Sequence, residues 1–320
     1  MFRMLFAALL ALASTLAAAQ AWPSKPVRII IPYPAGGGAD AAARLAAGAL
    51  SQGLGQSFVV ESRPGGNTLI GTEAAAKSAP DGYTLLLTGG STMSVQPFVF
   101  AGKLPYDPLD GFAHISMVSR FPFIVTVPAT LPVKSLPEFI AHVKSRPGQL
   151  SYGSNGSGAL AHLGIERLRA GTGIDLTHVP YKGFGPMMPD LISGRVAMTM
   201  ADLAPIAGHL KAGTLRAIAV TSKERWGQMP ELPTVAEAGL PGYEVDVWFG
   251  LFAPAKTPAE VVQRANAELR KYLSSPEAKE AFLKIGHDAS PSTPEAVRAL
   301  IQSEQKVYSG LVRQIGLKPE

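Results

Sequence analysis

Short apolar runs rich in β-branched residues alternate along this chain with longer stretches whose apolar side chains recur every three or four positions. Runs of the first kind predict buried strands, and stretches of the second kind predict amphipathic helices. The run Val27–Pro32 (VRIIIP) reads as a strand, and Ala39–Leu54 as an Ala-rich helix. Phe58–Val60 is a second strand, Thr72–Ser78 a second helix, and Tyr83–Thr88 a third strand after the Asp81-Gly82 turn. Strand–helix alternation of this kind predicts a parallel sheet covered by helices.

The pattern restarts at Phe123–Val127. Helices are expected at Leu136–Ser145 and Ala159–Ala170, with strands at Leu150–Gly153 and His178–Tyr181. A helix begins within KGFGPMMPDLISG, strands follow at Val196–Met200 and Leu215–Thr221, and 246–254 (DVWFGLFAP) is one more apolar run. Three amphipathic helices close the chain, at Pro258–Leu273, Glu277–Ile285 and Pro294–Ile315. The expected fold is α/β in two lobes: residues 22–120 with 250–320 form lobe 1, and 121–249, inserted between them, form lobe 2. The cleft between two such halves is the default ligand site. In parallel sheets, ligands sit beyond the carboxyl ends of the strands.

Composition narrows the classes. Hydrophobic residues make up 47% of 320 positions, which excludes a disordered chain. Residues 1–21 carry Arg3, an apolar run, and Ala19-Gln20-Ala21, the layout of a signal peptide cut after Ala21. An exported, periplasmic protein is therefore expected, soluble once the peptide is removed. Removal of residues 1–21 takes away Arg3 and no acid, leaving 28 basic against 24 acidic residues. The basic residues are scattered, so nucleic acid is not an expected partner. Cysteine is absent, so neither disulfides nor thiolate metal sites are available.

Against that background, the Gly/Ser-rich stretches that follow predicted strands become the candidate chemistry. In IPYPAGGGAD, three glycines (Gly36, Gly37, Gly38) precede Ala39 and Asp40 at a helix start. Helix N-termini carry unpaired amides and a partial positive charge, so a carboxylate can rest there. Neither a Walker loop nor G-x-G-x-x-G spacing is present. The plain alternative is a tight turn with Asp40 as helix cap. In RPGGNTLIG, Gly65 and Gly66 free the backbone, and Asn67 and Thr68 offer donors; the alternative is a surface turn.

YGSNGSGAL offers Ser154, Asn155 and Ser157 as donors, and Gly156 and Gly158 for a close backbone approach. It lacks the G-x-S-x-G elbow of esterases. His162 and Glu166, four apart, read as a helix-face contact better than as metal ligands, since no third ligand accompanies them. Tyr181 and Lys182 end a strand and offer donors, Lys182 reading more readily as a solvated surface charge. Asp202 follows the strand at 196–200 and either receives a ligand donor or caps the next helix. No nucleophile, base and orienter assemble, so no enzyme is expected, and no cofactor or metal.

Taken in order, WPSKPVRIIIPYPAGGGAD, ESRPGG, APDGYTLLL, YGSNGSG, HVPYKG, LRAIAVTSKERW and LPTVAEAGLPGYEVDVWFGLFAPAKTP resemble the Bug family over essentially the whole mature chain. These are periplasmic receptors related to the tricarboxylate-binding component of tripartite tricarboxylate transporters. The resemblance implies a class II periplasmic-binding-protein fold that closes over a small carboxylate. Carried onto this sequence, the implied contacts are Tyr33, Gly36 to Asp40 and Gly65 to Asn67 in lobe 1. In lobe 2 they are Ser154 to Gly158, His162, Tyr181 to Gly183 and Asp202. Ala39 stands where many relatives carry a hydroxyl residue, and RPGGNTLIG where relatives commonly read RPGAGGNIG. The implied ligand is a mono-, di- or tricarboxylate or an acidic amino acid. The implied partner is a membrane permease, with a sensor as the alternative, and the chain is expected to act as a monomer.

Overall fold

The computed structural model describes residues 22–100, 102–314 and 316. The expected signal peptide, residues 1–21, lies outside the described residues.

Strand β1 (Val27–Ile31) pairs in parallel with β2 (Phe58–Ser62) on one side and β3 (Thr84–Gly89) on the other. Its three isoleucines, Ile29, Ile30 and Ile31, are wholly buried. Helices cover both faces of such a strand, which is why Ile29–Ile31 read as an unbroken apolar run after Arg28. Helix α1 (Gly38–Leu54) follows β1, and α2 (Leu69–Ala76) follows β2. After β3, a π-helical turn (Ser91–Val95) leads into the short α3 (Gln96–Val99).

Strand β4 (Phe112–Pro122) crosses to the second sheet with only Phe123 between it and β5 (Ile124–Pro128). Helices α4 (Leu136–Lys144), α5 (Leu160–Thr172), α6 (Phe184–Ser193) and α7 (Leu203–Lys211) belong to this half. They alternate with β6 (Ser151–Ser154), β7 (Thr177–Pro180), β8 (Thr199–Ala201) and β9 (Leu215–Val220). The chain returns through β10 (Asp246–Pro254), then α8 (Ala259–Leu273), α9 (Pro276–Lys284), the two-residue β11 (Asp288–Ala289) and α10 (Pro294–Gln314).

The first sheet has the order β11-β4-β10-β3-β1-β2. The parallel pairing expected from the sequence holds for β1, β2 and β3. β10 departs from it, entering antiparallel between β3 and β4 because it arrives from the other half. In the second half β5 runs antiparallel to both β8 and β9, while β6 and β7 pair in parallel. A parallel bridge between Tyr152 and Met198 joins the two groups. β4 was not anticipated: buried His114, Ser116 and Ser119 interrupt its apolar pattern.

Each half has its own core. Ala42, Ala43, Ala46 and Leu50 of α1 pack with Val261, Ala265 and Leu269 of α8. Phe139, Tyr152, Leu163, Met198 and Tyr243 lie in the second core. α10 spans both, burying Val297 and Ile301 with the first half and Tyr308, Leu311 and Val312 with the second.

Candidate functional site

The loop that leaves β1 ends at Gly37, the N-cap of α1, and no side chain caps that helix start. Gly36 has φ +84°, a left-handed conformation that glycine adopts without steric cost. Asp40 is not the cap. It sits three residues inside the helix and reaches back, accepting the Gly36 amide at 3.0 Å and the Arg44 Nε at 3.0 Å. Burial would raise its pKa, but Arg44 and the Gly36 amide hold it below the usual carboxylate range. Its charge is thus neutralised within the loop and leaves the remaining first-turn amides attractive to an anion. Gly38 packs beside His287, whose Nε2 would lie 3.0 Å from a Cβ placed there.

The second loop is tightly wound. Gly65, Gly66, Asn67 and Thr68 all have positive φ, and Thr68 (φ +74°) is β-branched, a conformation that stores strain. α2 therefore starts at Leu69, three residues before the expected Thr72, again with no side-chain cap. Gln96 braces the loop: its Nε2 donates to the Asn67 carbonyl and, at 2.7 Å, to Thr68 Oγ1. The Tyr106 hydroxyl donates to Gln96 Oε1 at 2.7 Å. The Thr68 and Thr92 hydroxyls are 2.9 Å apart. The Tyr33 hydroxyl accepts the Gly89 amide at 3.2 Å and lies 3.3 Å from Thr88 Oγ1 and 3.4 Å from Thr92 Oγ1. One network thus joins Tyr33, the second loop and the π-helical turn. Sequence reasoning named Tyr33, Gly65, Gly66 and Asn67 but missed Thr88, Thr92 and Gln96, which carry no motif.

In the second half, several expected donors are already committed. Ser154 is fully buried, 2.7 Å from His178 Nε2, and its hydroxyl donates to the Gly156 carbonyl at 3.0 Å. Sequence reasoning assigned no role to His178, which stacks on His162 at 3.9 Å and on Tyr152 at 4.9 Å. Burial, with His162 beside it, pushes the His178 pKa down to about 4. The Ser154–His178 pair has the atoms of a nucleophile and base. Yet its serine is fully buried, and among the described residues no carboxylate hydrogen-bonds His178 to orient it as catalysis requires. It acts as a brace for the loop.

His162 accepts the Gly158 amide at Nδ1 (3.0 Å), and its Nε2 lies 4.0 Å from Glu166, a helix-face contact. The Tyr181 hydroxyl, expected as a free donor, instead donates to Asp190 at 2.7 Å. Lys182 is exposed, and Asn155 and Ser157 are partly exposed. Gly183 (φ +103°) starts α6 with no side-chain cap. By contrast α4 and α9 carry ordinary serine caps, Ser135 and Ser275.

Asp202 stands at the start of α7 with cap-like backbone angles (φ −65°, ψ 160°), yet its side chain makes no cap hydrogen bond. Burial pushes its pKa up to about 7, with no partner to offset it. Part of the group still meets water, so the shift is that of a cleft wall and not of a sealed core. Burial also raises the Tyr33 hydroxyl; three hydrogen bonds temper that rise, and the Asp202 charge adds to it from the other half. The halves touch nearby, where Leu203 packs on Gly286 and the Trp226 Nε1 donates to Asp288 Oδ2 at 2.9 Å. Among the described residues no group of three or more His, Cys, Asp or Glu is placed to hold a metal ion.

Residues 42–317 match TctC, the tripartite tricarboxylate transporter family receptor. This chain belongs to the TctC family. Protein BugT of Bordetella pertussis is 36% identical over 300 residues, covering 94% of this chain and 92% of that one. Rpa4515 of R. palustris, solved with adipate, matches with a TM-score of 0.86 at 34% identity, over 93% of this chain and 100% of that one. MatC of Rhodopseudomonas palustris, solved with bound malate, matches with a TM-score of 0.79 at 28% identity, over 91% and 100%. TctC proteins are periplasmic solute-binding receptors, and the two-lobed receptor fold accounts for the two sheets and the cleft between them.

Proposed function

We propose that this TctC receptor captures a small organic carboxylate between its lobes and presents it to a membrane permease of the tripartite type. The lobe limits belong to that reading: residues 22–120 with 250–320 form one lobe and 121–249 the other, β4 and β10 crossing between them. So do export with cleavage after Ala21, action as a monomer, and binding without turnover.

The observation that carries the reading is the start of α1 at Gly37, which no side chain caps, lying beside the start of α2, where the Leu69 and Ile70 amides are already taken by the Gly66 and Gly65 carbonyls. Pro32 and Arg63, at the ends of β1 and β2, both pack on Gly71 of α2, so the two starts are neighbours. Amides at such ends hold a carboxylate through neutral donors, directly or through bridging water, without an arginine clamp. Adipate and malate, the ligands solved with two relatives, are both carboxylates.

The test is a thermal-shift screen of the mature protein after unfolding and refolding to strip bound ligand. Mono-, di- and tricarboxylates and acidic amino acids are compared with neutral amides and sugars. A ligand at a hundred times its Kd stabilises by about 2.7 kcal/mol. A shift of a few degrees with one class of acid supports the reading. A shift with neutral compounds alone overturns it.

A further inference from the structure

We propose that the cavity behind the crossing strands β4 and β10, on the face turned away from the ligand loops, is a second binding site for a small zwitterion, an amino acid whose ammonium meets Glu304 and whose carboxylate meets Arg167. This site is separate from the cleft and does not depend on the acid proposed for it.

The cavity has a volume of about 430 Å³, within the range of small-molecule sites. β4 and β10 supply one wall, α5 and the turn at 242–244 a second, and α10 a third. Alternation along the strands separates it from the ligand loops. Trp248 pairs in register with Arg120, and both line the cavity together with Asp246. Their neighbours Phe249 and Phe121 point to the other face. There Phe249 meets Tyr33 at 5.6 Å, and Phe121 stacks on His287 at 3.9 Å.

Two charges on different walls lack a charged partner. Glu304 of α10 accepts the Trp248 Nε1 at 2.9 Å and the Ser94 hydroxyl at 2.6 Å, both neutral donors. Burial pushes its pKa up to about 7, and those two bonds only temper the rise. Arg167 of α5 donates to the Glu244 carbonyl at 2.8 Å and the Gly242 carbonyl at 2.7 Å, and lies over the Tyr243 ring at 5.2 Å. None of the ion pairs among the described residues includes Glu304 or Arg167. Arg120 and Asp246 pair with each other, and Glu244 is exposed to solvent.

A guanidinium with two N–H groups engaged keeps donors for a carboxylate, and a carboxylate with two neutral donors keeps lone pairs for an ammonium. An amine alone would leave Arg167 without an anion. An acid alone would bring another negative charge into a cavity that already holds Glu304 and Asp246. One molecule carrying both groups satisfies both walls, through charge-assisted bonds that are stronger than neutral ones. A polar wall of this kind rejects an analogue that leaves one of its groups unpaired.

Isothermal titration of the refolded mature chain at pH 8, where Glu304 is charged, tests this. The probes are α- and ω-amino acids of three to six carbons, each beside the amine and the acid of the same length. The variants are Glu304→Gln, which keeps an acceptor for Trp248, Arg167→Gln, and Ser303→Phe, which places a ring at the cavity wall and touches no ligand loop. The wild type should bind at least one amino acid tenfold or more tighter than its amine. Each variant should weaken that binding at least tenfold, while Ser303→Phe leaves the binding of simple acids within threefold of wild type. An amino acid that also enters the cleft gives two events in the wild type, of which the variants keep one.

The absence of any amino acid binding overturns the proposal, leaving the cavity a solvent-filled gap. So does an amine that binds as tightly as its amino acid, or amino acid binding that all three variants leave within threefold of wild type, since the ligand then sits elsewhere. None of these outcomes bears on the cleft, whose own test is the comparison of acids with neutral compounds.

Discussion

Gly71 shows how a single residue can set the path of the loop that precedes its helix. A Cβ there would lie 2.6 Å from the Arg63 carbonyl oxygen and 2.9 Å from the Pro32 Cα. Both are backbone atoms, so neither can rotate away. The start of α2 is seated between the ends of β1 and β2 only because this position has no side chain. Gly71→Ala should therefore destabilise the protein by about 1–3 kcal/mol, the usual cost of overpacking. It should also weaken acid binding, because the second loop is pushed away from the α1 amides. A midpoint within a degree of wild type, with unchanged affinity, would show that the strand ends yield freely. The sequence displayed Gly36–Gly38 and Gly65–Gly66 because they cluster before helices. Gly71 is inside a helix, and its reason lies in chain segments eight and thirty-nine residues away. Ser154 and Tyr181 illustrate the same limit: their donor chemistry was legible, but the Gly156 carbonyl and Asp190, which consume it, were not.

Among the elements, the segment from Thr88 to Gln96 joins both lobe 1 loops, yet its sequence, TGGSTMSVQ, has no helical period. The π-helical turn explains this, since its side chains do not follow the 3.6-residue spacing that sequence patterns reveal. β4 was hidden differently, by polar residues that are buried and bonded, such as Ser116 with Ser292 and Ser119 with His287. Most strands and helices with clean apolar faces were legible, whereas β4, with its run of buried polar side chains, was not. Gln96 gives this segment its hold on the second loop. Gln96→Ala removes the donors to Asn67 and Thr68, strands the Tyr106 hydroxyl and opens a cavity at a position 1% exposed. Each buried group left unpaired costs about 1–3 kcal/mol. A total loss of roughly 2–4 kcal/mol is expected, with the strained Asn67–Thr68 turn relaxing first. Hydrogen exchange resolves the two effects: amides of 65–72 should lose protection more than those of β1. Equal protection across both segments would remove Gln96 from the role of brace.

For the whole molecule, the sense of β10 was not readable from the sequence. Strand direction depends on which side the chain re-enters from, and local pattern carries no record of that. His287 lies where these long connections meet. It is 2% exposed, stacks on Phe121 of β4 at 3.9 Å, lies 3.2 Å from Ser119 Oγ, and abuts Gly38 at the start of α1. Burial pushes its pKa down to about 3. In the unfolded chain it titrates near the ordinary histidine value of about 6.5. Between those limits the unfolded chain binds a proton that the folded chain refuses, so stability is present above pH 6.5 and is lost as pH falls. The loss approaches about 1.4 kcal/mol per pH unit and amounts to about 2 kcal/mol between pH 6 and 4.5. His114 and His178, both pushed by burial to about 4, act in the same sense. Asp202 and Glu304, raised by burial to about 7, act oppositely, since the folded state takes their protons first. The wild-type curve alone therefore mixes signs, and the comparison with His287→Gln isolates this residue, because the other groups are common to both proteins. Urea unfolding at intervals from pH 7.5 to 4.5 should show the wild type losing about 2 kcal/mol more than the variant over the lower range. Parallel curves would mean that His287 accepts its proton in the folded state, and that the packing of α1 against the lobe 1 core tolerates a charge beneath the ligand loop.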